Sequence, residues 1–144
     1  MEPRIIKLLE PVSPHAHWLL RVALLSIFLY HGIDKFLGEG IGGFAEMTGL
    51  PIAIAFLVAL VEIVGSILVF IGGFLPGWIT RLGALLLVPV MLGAIFMVHW
   101  GQWHFMATET HPMGGMQFQV MILLFLLYIL VQGNQINVAN TGKT

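Results

Sequence analysis

Residues 51–74 read PIAIAFLVALVEIVGSILVFIGGF, and Glu62 is the single formally charged residue in that run. No Asp, Glu, Lys or Arg follows it until Arg81. A helix over this stretch, at about 1.5 Å per residue, is long enough to cross the roughly 30 Å of a bilayer's hydrocarbon. A proline stands near its first turn, and Gly72-Gly73 followed by Pro76-Gly77 ends it. Exposing so much apolar surface to water is unfavourable in proportion to its area. The stretch therefore predicts a membrane-spanning helix.

The rest of the chain has the same character. Charged residues make up 9% of the 144, hydrophobic ones 58%, and the mean hydropathy is +0.96; a soluble domain carries about 25% charged residues. Further spans are predicted over Trp18–Phe36, Arg81–Trp100 and Gln117–Val131, the third interrupted by Pro89 and the fourth the shortest. The expected fold is an all-α integral membrane protein, an antiparallel four-helix transmembrane bundle over residues 18–132. Residues 1–17 form an N-terminal segment and residues 133–144 a polar tail, expected to be disordered. The leader MEPRIIKLLEPVSPHAHW has neither a clean positive region nor a small-residue cleavage site, so the first span reads as a retained helix. Residues 38–50 fit either a glycine-rich loop or a short helix lying at the interface.

Basic residues set the orientation. With four spans Arg4, Lys7, Arg21, Arg81 and Lys143 share one side, and only Lys35 falls on the other. The positive-inside bias places both termini in the cytoplasm, in what reads as a bacterial inner membrane. A net charge of -1 gives no reason to expect a nucleic-acid partner. The absence of cysteine excludes disulfide, thiol-redox and cysteinyl-metal chemistry.

Ionisable groups within hydrocarbon need a partner or a purpose. Glu62, eleven residues beyond Pro51, lies near the midplane. His31, Asp34 and Lys35 share a face of the first span; His99 closes the third; Gln117 and Gln119 open the fourth. All four spans thus bring polar groups to the outer half. Two readings stay open: an outward-opening pocket, or groups satisfied one by one, with Glu62 protonated and Lys35 snorkelling. Arg21, Asp34 and Arg81 read as structural anchors, with a reach into the bundle toward a polar neighbour as the alternative for Arg21. The segment after the third span holds His99, His104 and His111 among methionines, an alternative soft-metal set. It lacks compact ligand spacing, and no metal is assigned.

Several of these pieces, in order, resemble the DoxX family of small four-helix membrane proteins, related to DoxD-type thiosulfate:quinone oxidoreductase subunits and to MauE proteins. They are LLRVALLSIFLYHGIDKF with Arg21, His31, Gly32 and Lys35; LVALVEIVGSILVFIG with Glu62; ITRLGALLL with Arg81; and MVHW with His99. Two departures stand out. WGQWHFM replaces the family's frequent asparagine–glycine turn, and Gln117 stands where a glutamate usually follows the glycines of the fourth helix.

The resemblance implies a membrane subunit of a redox system that contributes a quinone- or quinol-binding or partner-docking site. It is not expected to be a complete enzyme alone. No flavin, haem or iron–sulfur motif is evident, so a membrane-associated redox enzyme or electron-donating subunit is the implied partner, beside lipid and a homo-oligomeric copy. On this reading Glu62 and His31 are the candidate catalytic pair, in contact directly or through water. His31, Lys35, Glu62, His99 and Gln117 form the candidate cofactor site. A non-catalytic scaffold and a small-solute or metal-ion transporter are the alternatives.

Overall fold

The computed structural model describes residues 4–134. Its elements are α1 (Arg4–Leu9), a 3₁₀ turn (Ser13–His15), α2 (His17–Leu37), α3 (Gly40–Thr48), α4 (Ile52–Ile71), α5 (Gly77–Gly93), a π-helical extension (Ala94–His99) and α6 (Gln117–Gln132). Three stretches, Ser13–Leu37, Ile52–Ile71 and Gly77–His99, are long and apolar enough to cross a membrane. The apolar helix α6 is shorter, at 16 residues. The chain is an all-α, largely membrane-spanning protein.

Helix α4 packs against both α2 and α5, and α5 packs in turn against α6. Small residues set these approaches, because in lipid it is close packing and not water exclusion that holds helices together. At Gly32 a Cβ would stand 3.0 Å from the Ala59 carbonyl oxygen and 3.2 Å from Glu62 Cβ. At Gly83 it would stand 2.7 Å from both the Gly65 carbonyl oxygen and the Val69 nitrogen. The outward faces stay apolar: Leu19, Phe56, Leu57, Leu85 and Leu124 are exposed, as a hydrocarbon solvent permits.

Residues 38–50 contain a helix, α3, which resolves the alternative left open by the sequence. It ends at Gly49, whose φ of +70° is cheap only for glycine, and the Leu50 N–H closes the turn on the Ala45 carbonyl at 3.1 Å. Proline at 51 then enters α4 in an extended conformation. Helix α5 runs through Pro89 and changes to π winding at Ala94. This altered winding resets the angle at which His99 leaves the helix.

One buried cluster joins Leu24 and Phe28 of α2, Val69 of α4, Ala84, Leu87 and Met91 of α5, and Ile122, Leu126 and Ile129 of α6. It extends from the end of the molecule where α2 begins and α4 ends to Phe28, Met91 and Ile122, which line the cavity beyond it. The opposite end, roofed by α3, is hollow.

Candidate functional site

Lys35 lies on the last turn of α2, three residues beyond Gly32 and on the same face. The close approach at Gly32 brings that face against Glu62. Lys35 Nζ donates to Glu62 Oε2 at 2.7 Å and to the His31 carbonyl oxygen at 3.3 Å, and stands 4.7 Å from the centroid of the Phe44 ring. Glu62 is 6% exposed. The expected direct His31–Glu62 contact is therefore corrected: the carboxylate's direct partner is Lys35. The reason is angular. Arg21, Leu24, Phe28 and Gly32 form the buried stripe of α2, and Lys35 continues it, whereas His31 leaves the helix about 100° away from Gly32.

A second polar pair joins the end of the π-helix to the start of α6. His99 is buried; its Nδ1 lies 2.9 Å from the Gly114 carbonyl oxygen and its Nε2 2.9 Å from Gln119 Nε2. The Gly114 carbonyl is held by a folded connection. The N–H groups of Gly115, Met116 and Gln117 donate to the carbonyls of His104, Gln102 and Trp103 at 3.0, 2.9 and 2.9 Å.

Both pairs line one cavity of about 800 Å³, within the range of small-molecule sites. His31 and Asp34 also line it, Phe44 and Thr48 of α3 form part of its roof, and Ile54, Val58, Pro89 and Ile122 supply apolar wall. Gln117 does not line it. It is exposed in a neighbouring apolar groove with Trp103, Met121 and Leu124. Gln119 takes the place expected of Gln117, because it lies three residues before Ile122 on the buried stripe that continues through Leu126 and Ile129.

The alternative metal set is not assembled. Among the described residues no three His, Cys, Asp or Glu side chains are grouped to hold an ion. His99 is turned to Gly114, and His111 Nε2 lies 2.8 Å from the Trp100 carbonyl.

Arg21, for which an edge anchor and a reach into the bundle were both open, is fully buried at the other end of the molecule. Its guanidinium donates to His17 Nδ1 (3.0 Å), Thr80 Oγ1 (3.0 Å), Asn134 Oδ1 (2.7 Å), the Gly133 carbonyl (3.4 Å) and the Val69 carbonyl. The sequence reading missed Thr80, Asn134 and His17 as its partners. Asn134 also donates to the Gly72 and Leu75 carbonyls at 2.6 and 2.7 Å, so the first two residues assigned to a disordered tail are held in place. The remainder of that tail lies outside the described residues. Arg81 is exposed and donates to the Val131 carbonyl at 3.2 Å.

The DoxX family model matches residues 16–100, a stretch that contains Arg21, His31, Gly32, Lys35, Glu62 and His99. A protein of Bacillus subtilis (strain 168), described as "Putative oxidoreductase CatD", is 32% identical over 118 residues, covering 81% of this chain and 78% of the relative. No solved structure matches the chain.

Proposed function

The chain belongs to the DoxX family, and on that premise we propose that it is the membrane subunit of a quinone-linked redox system. It binds a quinone or quinol ring in the cavity between α2, α4, α5 and α6 and exchanges electrons through a membrane-associated partner enzyme. The observation that carries this reading is the placement of two hydrogen-bonding pairs, Lys35–Glu62 and His99–Gln119, in one cavity whose remaining wall is largely apolar. A ring with an oxygen at each end needs an apolar slot and polar groups to orient it. Lys35 orients one oxygen, Glu62 holds Lys35 and serves as the proton-handling group, and His31 stands at the wall nearby. A scaffold needs no such space among its polar groups. The oxidoreductase description of the Bacillus relative adds support.

Purified wild type and Glu62→Gln, in native-lipid discs and matched for folding, test the reading by equilibrium binding of a short-chain quinone and its quinol. Wild type is expected to bind, and the variant to bind about tenfold more weakly, the effect of one charge-assisted contact. Negligible binding of both redox forms by both proteins would leave the scaffold reading ahead.

In this proposal α6 is the fourth span of an antiparallel bundle in a bacterial inner membrane, with both termini cytoplasmic, as the distribution of basic residues favours. The chain has no cysteine, so single probes at Ser13 and Ala107 are clean. An impermeant thiol reagent applied from outside should label Ala107→Cys and spare Ser13→Cys; the reverse pattern inverts the orientation.

A further inference from the structure

We propose that α1 is an interfacial foot: it lies in the plane of the membrane at the Arg21 end of the molecule, with its leucine and isoleucine side chains among lipid acyl chains. The spacing of its residues comes first. At about 100° per residue, Leu8, Ile5, Leu9 and Ile6 follow one another over an arc of about 160°. Positions 10, 7 and 4 take the rest of the circumference, and they carry Glu10, Lys7 and Arg4. Glu10 still belongs to the helical path, because its N–H donates to the Ile6 carbonyl at 3.0 Å. One side of the segment is thus unbroken hydrocarbon and the other is charged.

The described residues do not cover the apolar arc. Ile5 is 65% and Leu8 73% exposed, Ile6 and Leu9 are exposed as well, and α1 belongs to none of the main helix pairings. Leaving that aliphatic surface in water is unfavourable in proportion to its area.

The path of the chain identifies what covers it. Only Glu10, Pro11 and Val12 separate α1 from the apolar stretch Ser13–Leu37. This connection is tightly turned: the Val12 N–H donates to the Leu9 carbonyl at 3.1 Å and the His15 N–H to the Val12 carbonyl at 2.9 Å. Pro11 and Pro14 interrupt the helix there, so α1 is a separate segment and not an extension of the span. Trp18, in the first turn of α2, packs on Phe70 and Phe74 with ring centroids 5.5 and 4.5 Å apart, an aromatic group of the kind that marks the headgroup level. A short, turned tether to that level holds α1 at the boundary between headgroups and acyl chains. A helix half apolar and half charged binds flat there, and arginine and lysine are the residue types that meet phospholipid phosphates.

The test uses the full chain in phospholipid discs, with one nitroxide-labelled cysteine at a time: Ile5→Cys, Lys7→Cys, Leu8→Cys and Glu10→Cys. The chain has no other cysteine. Collisions of each label with oxygen, which concentrates in hydrocarbon, are compared with collisions with a water-soluble nickel chelate. The oxygen-to-nickel ratio is expected to be several-fold higher at positions 5 and 8 than at 7 and 10. In a protein that also carries Leu8→Asp and Leu9→Asp, the label at position 5 should move to the nickel-accessible class while the unfolding midpoint stays at the wild-type value. Equal access of nickel to all four positions would place α1 in water and overturn the proposal. Labels at 5 and 8 closed to both reagents would show a protein surface, a second copy or a partner, in place of lipid. A position 5 label that stays in hydrocarbon in the aspartate variant would overturn the assignment to the apolar arc.

Discussion

Replacement of Arg21 by methionine is expected to lower the stability of the folded protein by about 3 kcal/mol or more, a loss measured as a depressed unfolding midpoint in lipid discs. The guanidinium is fully buried, and its five acceptors come from α2, α4, α5 and the end of α6. Among the described residues it has no carboxylate partner, since the one salt bridge there is Lys35–Glu62. Its charge is met by four neutral oxygens and by His17 Nδ1 instead. The Val69 and Gly133 carbonyls belong to the C-terminal ends of α4 and α6, where aligned peptide dipoles carry partial negative charge. Methionine fills much of the volume but leaves the Val69 carbonyl short of a donor and Asn134 Oδ1 with only the Thr80 hydroxyl, 2.8 Å away.

Arg21→Lys separates charge from geometry. Lysine keeps the positive charge but places a single nitrogen where a planar fork reaches acceptors on several elements. Its unfolding midpoint should fall between those of wild type and Arg21→Met. Asn134→Ala should reproduce part of the loss, because Asn134 also ties the Gly72 and Leu75 carbonyls to the end of α6. An Arg21→Met protein that unfolds with wild type would show that the network is dispensable.

The helices were readable from the sequence because span length and hydropathy are properties of the segment alone. The expected spans at Trp18–Phe36 and Arg81–Trp100 differ by only a few residues from α2 and from α5 with its π extension. Which residues meet inside was harder to read. A helix in water advertises its buried face by contrast with a polar one, and α6 offers no such contrast: Ile122, Leu126 and Ile129 face inward while Met121, Leu124 and Tyr128 face outward. Gln117 and Gln119 therefore looked equivalent, although only Gln119 shares the inward stripe. On α2 the signal was present but unused. The series Arg21, Leu24, Phe28, Gly32 and Lys35 repeats at helical spacing, and it places lysine on the face that meets α4. The Arg21 partners Thr80 and Asn134 left no local trace, since each matters only through a contact more than fifty residues away.

Lys35→Met is expected to cost about 3 kcal/mol, Glu62→Leu only about 1 kcal/mol, and the double variant less than Lys35→Met alone. The asymmetry follows from depth. Glu62 lies ten residues into α4 and cannot reach the membrane surface, so loss of the ammonium 2.7 Å away strands a buried carboxylate. Lys35 lies two residues from the end of α2; without Glu62 its long stem can turn the charge toward the headgroups. Removing both charges removes the reason for either penalty, and an apolar pair of similar volume packs about as well. Unfolding midpoints of the two single variants and the double variant give the coupling directly. The same three proteins separate architecture from chemistry. If the pair only holds α2 to α4, the double variant regains stability and loses nothing else. If the pair orients a ring oxygen, the double variant folds as wild type does yet binds the quinol at least about tenfold more weakly. Wild-type quinol affinity in a well-folded double variant would remove Lys35 and Glu62 from the site and leave His99 and Gln119 as its polar groups.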